Sequence, residues 1–140
     1  MRKHRRKIIA AALVLLLIGG FTCRDHFVRL YVYLNDGSLD HYAWDSLVCT
    51  EGHMSARYGP WDAAVWREAG IVEFYTQRGW AFGGIEKGFY YSRSDTPVSF
   101  QAAGCPLTED GAGWSWADPG GNHGYTRRIR PHWFWFEAVL

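Results

Sequence analysis

Trp133–Val139 reads WFWFEAV, and the fold turns on how those seven residues are placed. Trp133, Phe134, Trp135 and Phe136 are four consecutive large aromatics. In any strand they point alternately to its two faces. A strand apolar on both faces belongs in the interior of a sheet, covered above and below, and not at an edge. Left in water, the same surface would invite aggregation. The expectation is a mainly β domain, or a small α+β one, with an antiparallel sheet, one short helix and this strand covered on both sides. Residues 61–69 and the Gly-rich stretch around Trp114 are the candidate covers.

The neighbouring segments fit that expectation. IVEFYTQ at 71–77 places Val72, Phe74 and Thr76 on one face and Glu73, Tyr75 and Gln77 on the other. IEKGFYYS at 85–92 is a second strand, with Gly88 marking a bulge or a close approach. Arg78-Gly79 is a turn, and 80–82 begins a return strand broken at Gly83-Gly84. Pro60 suits a first helical position, so 61–69 is expected as a short helix closed by Gly70. Residues 98–101 are expected as a short strand, and 109–124, EDGAGWSWADPGGNHG, as a long loop. Residues 39–58 are open between a short strand at 47–49 and a helical turn at 44–49. FVRLYVYL at 27–34 fits two periods. Val28, Leu30, Val32 and Leu34 alternate, whereas Phe27, Leu30, Tyr31 and Leu34 recur at helical spacing. The β-branched and aromatic content favours a strand, with a helical stem as the alternative. Asn35-Asp36-Gly37 ends the element either way.

Residues 8–23, IIAAALVLLLIGGFTC, carry no charge, and Arg2, Lys3, Arg5, Arg6 and Lys7 stand before them. Basic residues are held on the cytoplasmic side of a membrane, so everything from about Arg24 onward is expected outside the cytoplasm. Sixteen residues is slightly short for a spanning helix of roughly 17–25 and slightly long for a signal core of about 7–15. An uncleaved anchor comes first, a cleaved signal with secretion second, and a lipoprotein acylated at Cys23 third. The organisation is then a basic flank and anchor at 1–23 and one extracytoplasmic domain at 24–140. The location would be a bacterial inner membrane with the domain in the periplasm.

Five of the fifteen Lys/Arg of the 140-residue chain precede that run, so residues 24–140 hold ten basic against fourteen acidic side chains. A net acidic domain argues against nucleic acid as a partner, because phosphate binding needs a basic surface. Aromatics make up 17% of the chain, enough for a short domain to bury a large apolar area. Cys49 and Cys105 both lie in the exported part, where disulfides persist, and are expected to be bridged, with two buried thiols as the alternative.

The order GFYYS, a Pro-containing spacer, a Gly-rich polar loop, YTRRI and HWFWFE resembles the end of short membrane-anchored or secreted bacterial proteins of uncharacterised function. The resemblance spans roughly the last fifty residues. It implies a small β-rich exported protein and carries no catalytic residues across.

No motif supplies a catalytic constellation. No G-x-S-x-G elbow is present, and neither CxxC nor HExxH occurs. Cys49 and His53, with His41 nearby and His123 or His132 farther off, have a spacing seen in zinc sites, but solvated histidines are the default and no metal or cofactor is expected. Asp36, Asp40, Asp45, Glu109 and Asp110 sit in stretches that suit solvated acids. Arg127, Arg128 and Arg130 suit a solvated face or salt bridges, ahead of an anionic head group. The aromatic stretch is the one surface candidate. Trp114 and Trp116 alternate beside Asn122, His123 and Tyr125, and flat rings with nearby polar groups suit sugar faces. Tryptophan in a small domain more often fills the core, and that reading comes first. The functional expectation is a non-catalytic, membrane-anchored interaction or assembly protein of the cell envelope. Its partners would be the membrane through 8–23 and an envelope protein or cell-wall glycan. A glycan- or small-ligand-binding module is the alternative.

Overall fold

The structure, a computed structural model, describes residues 24–49, 55–79 and 84–140. The run at 8–23, His53 and the segment 80–83 lie outside the described residues. No helix among the described residues is long and apolar enough to cross a membrane. Two compact units meet at the Leu34/Asn35 boundary.

The first unit contributes helix α1 (Arg24–Leu34). The expected strand at 27–34 is therefore corrected to the helical alternative. Val28 and Val32 are buried while Leu30 and Leu34 are exposed. A strand would have put all four on one face, so the buried pair follows the four-residue helical spacing instead.

The second unit begins with helix α2 (Asp36–Val48) and continues as eight strands: β1 (Ser55–Tyr58), β2 (Trp61–Trp66), β3 (Ile71–Gln77), β4 (Ile85–Ser92), β5 (Thr108–Asp110), β6 (Gly113–Ala117), β7 (His123–Arg130) and β8 (Trp133–Val139). They form one antiparallel sheet in the order β1-β2-β3-β4-β8-β7-β6-β5. Two four-strand meanders thus meet where β4 pairs with β8, with Phe89 opposite Trp135 and Tyr90 opposite Phe134. The WFWFEAV strand is interior, and Trp133 to Phe136 are all buried.

Each face has its own cover. On one, Phe74 stacks on Phe89 at 4.9 Å, Trp133 lies 5.8 Å from Phe74, and Tyr42 of α2 packs 5.8 Å from the same ring. Leu39 and Ala43, one helical turn apart, are buried in α2. Asp40 holds the helix in place. Its carboxylate accepts the Trp133 Nε1–H at 2.5 Å and pairs with Arg130, which also reaches Asp36 at 3.4 Å. On the other face, Tyr90 stacks on Phe134 at 5.1 Å, and Ile71, Tyr75, Phe136 and Ala138 complete a cluster. The connection from β4 to β5 crosses that face with Val98, Phe100, Ala102, Cys105 and Leu107 packed against it.

Three expectations change here. Residues 61–66 form a strand and not a helix, because β2 is paired on both sides by β1 and β3 and its Ala63 and Val65 alternate inward. The cover supplied in its place is α2. Residues 109–124 are not one long loop. They hold two short strands joined at Gly111, which has a φ of 57°, and a turn at 118–122 closed by Asp118. Residues 98–101 are not a strand but lead into a 3₁₀ turn, Phe100–Ala102.

Gly88 is a close approach, as expected. A side chain there would strike the Phe74 carbonyl and the ring of its cross-strand partner Phe136. Gly124 does the same for Trp116, its partner in β6. In each pair the glycine makes room for an aromatic ring laid over the backbone of the facing strand.

Candidate functional site

The first concentration of chemistry lies under the β4–β5 connection. β3 places Glu73 there with a side chain only 1% exposed. Its carboxylate accepts three hydrogen bonds: Trp66 Nε1–H at 2.9 Å, Tyr75 O–H at 2.8 Å and the Gln101 backbone N–H at 2.8 Å. Burial pushes the Glu73 carboxyl above its ordinary value, against the three hydrogen bonds that pull it down. Burial and the neighbouring Glu73 raise the Tyr75 phenol, and burial raises the Tyr90 phenol, so both remain protonated donors.

The physical reason for a buried acid is the connection itself. A chain without regular structure, laid across a sheet face, needs partners for its backbone polar groups. Glu73 takes the Gln101 N–H, where both Gln101 and Ala102 have positive φ. The Tyr90 hydroxyl accepts the Val98 N–H at 3.0 Å and bonds Thr126 at 2.9 Å. Ser99 Oγ accepts the Cys105 N–H at 3.1 Å. A cavity of about 340 Å³ lies alongside, lined by Val65, Trp66, Arg67, Glu68, Ala69, Gln101 and Ala102. Trp66 and Gln101, which both donate to the Glu73 carboxylate, line this cavity, while the carboxylate itself clasps the connection.

A second cluster ties two turns together. Asp95 and His132 both have left-handed backbones, with φ of 56° and 66°. The Asp95 carboxylate accepts the His132 N–H at 2.6 Å and also pairs with Arg128. The His132 ring sits 2.9 Å from the Ser92 carbonyl and stacks on Tyr91 at 5.6 Å. The hydrogen bond from His132, helped by Arg128, holds the Asp95 carboxyl below the usual range. Such left-handed residues cost about 1–3 kcal/mol each, and here each holds the other.

The residues expected to bind a ligand are dispersed. Trp114 and Trp116 share the face of the β4–β5 connection. Trp116 is buried in the core cluster, and Trp114 is half-buried, edge-on to Phe134 at 6.4 Å. Tyr125 pairs with Ser115 and points to the opposite face. Asn122 is bound into the 118–122 turn, its amide on Asp118 at 2.8 Å, which holds the Asp118 carboxyl low. His123 is exposed at the start of β7. The sheet brings the two tryptophans together and leaves the polar three elsewhere.

Cys49 and Cys105 form no bridge, which corrects the expected disulfide; both are free. Cys49 caps α2 on one face of the sheet, and Cys105 lies in the connection packed on the other. Among the described residues no group of three or more His, Cys, Asp or Glu is placed to hold a metal ion. His41 pairs with Asp45 at 3.1 Å along α2. In the sequence Glu73 is one of the polar positions of IVEFYTQ. The available signal was an acid in a strand with apolar residues on both faces.

A scan of protein-family models, a search of curated proteins and a search of solved structures each returned no match.

Proposed function

We propose that this protein is a single-pass membrane protein of the bacterial envelope, with residues 8–23 as the anchor and the β-rich domain on the extracytoplasmic side. Its role there is interaction or assembly and not catalysis. The observation that carries the reading is the charge-free run at 8–23 behind five basic residues. The domain's interior lends support, because its buried acid and tyrosine hydroxyls are occupied in fastening the β4–β5 connection. A glycan-binding role for Trp114 and Trp116 has weaker support, since Trp116 is spent in the core and Tyr125 lies on the other face.

Membrane fractionation tests the anchor. The full chain should stay in the pellet through an alkaline carbonate wash, and deletion of 8–23 should release the domain to the soluble fraction. A wild-type chain that washes off contradicts the reading. For the role, purification from crosslinked membranes should recover a reproducible envelope protein; recovery of the chain alone contradicts it.

A further inference from the structure

The β4–β5 connection is a strap held at few points. Its middle, 96–104, crosses the aromatic face as one layer, with Phe100 seated 5.4 Å from Phe136 and edge-on to Tyr75 at 6.3 Å. Gln101, Ala103 and Gly104, on the outside of that layer, are exposed. At one end Asp95 is tied to Arg128 and to the His132 N–H. At the other, Gly104 has a φ of 72°, and an added Cβ there would meet nothing within 4 Å. Between them Gln101 and Ala102 have φ of 54° and 51°, a costly backbone for residues with side chains. Cavities of about 340 and 260 Å³ flank the strap, and Ala69 and Ala102 line both. Void beside a segment is packing that the closed position forgoes. Strain and void both favour opening, so the tethers decide whether the strap stays down.

The tether at the strained point is Glu73. Its Oε1 accepts the Gln101 N–H, and its Oε2 takes Trp66 from β2 and Tyr75 from β3. The groups facing it from β4 are Tyr90, its cross-strand partner, and Glu86. Arg67 and Glu68 line the cavity beyond Trp66. No cation among the described residues pairs with Glu73; Arg78 pairs with Glu86 at 3.8 Å. As a neutral acid Glu73 fits this setting. Oε1 still accepts the Gln101 N–H, and the proton on Oε2 is donated to the Tyr75 hydroxyl, which can accept as well as donate. As a carboxylate it is a charge almost wholly removed from water with no countercharge, and burial outweighs its three hydrogen bonds. Opening the strap returns that charge to water.

We infer that residues 96–104 form a proton-controlled strap, closed over the aromatic face while Glu73 is protonated and opening locally when Glu73 ionises. Opening unseats Phe100 and uncovers Tyr75 and Phe136 without parting β4 from β8. The sign follows from linkage: the closed form holds the proton more tightly than the open form, so closure weakens as pH rises above the ordinary carboxyl range.

The test is amide hydrogen exchange of the full chain in a non-ionic detergent, read residue by residue and corrected for the intrinsic rate at each pH. The amides of Gln101, Ala102 and Cys105, bonded to Glu73, the Ser99 carbonyl and Ser99 Oγ, report the strap. Those of Phe134 and Trp135 in β8 report the sheet. The strap amides should be less protected than the sheet amides at every pH. Their protection should fall as pH is raised from about 4.5 to about 8, by at most about tenfold per unit for one proton. Glu73→Gln should flatten the fall, and Glu86→Gln should leave it in place. Strap amides as protected as those of β8 would show that the strap opens only with the whole fold, and would overturn the inference. So would a strap that is less protected but indifferent to pH, or a fall that survives Glu73→Gln or vanishes in Glu86→Gln. If Glu73→Gln does not fold, the wild-type profile and Glu86→Gln decide.

Discussion

At Glu73 the local physics gives opposite answers to two questions. The three donors around its carboxylate favour the charged form, and burial disfavours it more strongly, so its folded value is raised. A raised acid makes the folded state bind its proton more tightly than the unfolded state does. Its contribution to stability is therefore full below the ordinary value and is lost as pH rises through the folded value. Glu86 is raised by burial and adds with the same sign. Asp95 is lowered and opposes them, losing its contribution only as pH falls through its folded value. The expected outcome is a urea midpoint that declines as pH is raised from about 4.5 toward neutral. Glu73→Gln should flatten that decline; an unchanged slope in the variant would show that Glu73 does not titrate as described. A second prediction belongs to Gly88. Gly88→Ala forces a methyl into the Phe74 carbonyl and the Phe136 ring, and should destabilise by about 1–3 kcal/mol or more in a denaturant melt. An unshifted melt would contradict the close approach.

Elements explain which parts of the fold were legible. The three strands IVEFYTQ, IEKGFYYS and WFWFEAV are interior, and their own residues carry the signal: apolar side chains on both faces over most of each strand. β2 was not legible. Pro60, Ala63 and Ala64 speak locally for helix, and pairing on two sides overrides that preference. β5 and β6 are short, and the glycines around them speak locally for loop, although Gly111 and Gly121 serve tight turns beside these strands. In α1 the period was visible twice, and only the burial of Val28 and Val32 decides between the two. The candidate site was legible only in part. Trp114 and Trp116 do share a face, but the partners that define the interior, Glu73 with Trp66 and Gln101, are distant in sequence and come together only through the connection. The fastening of α2 is testable at this scale. Asp40→Ala leaves the buried Trp133 N–H unpaired and removes an Arg130 contact, and should cost about 1–3 kcal/mol. Trp116→Ala should cost about 3–5 kcal/mol by opening a cavity in the core cluster. A loss of sugar binding with an unchanged melting temperature would instead make Trp116 a ligand residue.

For the whole molecule, the β4–β8 pairing is the seam that makes one sheet of two meanders, and the apolar run at 8–23 is what would deliver that sheet to a membrane. Removing Trp133–Val139 takes out the partner of both β4 and β7, so the deletion should abolish folding and not merely trim an end. A truncated domain that keeps its near-UV dichroism would contradict this. The central claim of the proposed function concerns sidedness: the five basic residues would be held inside and the sheet outside. Leu140 is half exposed and suits a fusion. The most direct measurement is a pair of reporters fused after it, one active only outside the cytoplasm and one active only within. An active external reporter and a silent internal one are the predicted result, and an active internal reporter at Leu140 would contradict the account.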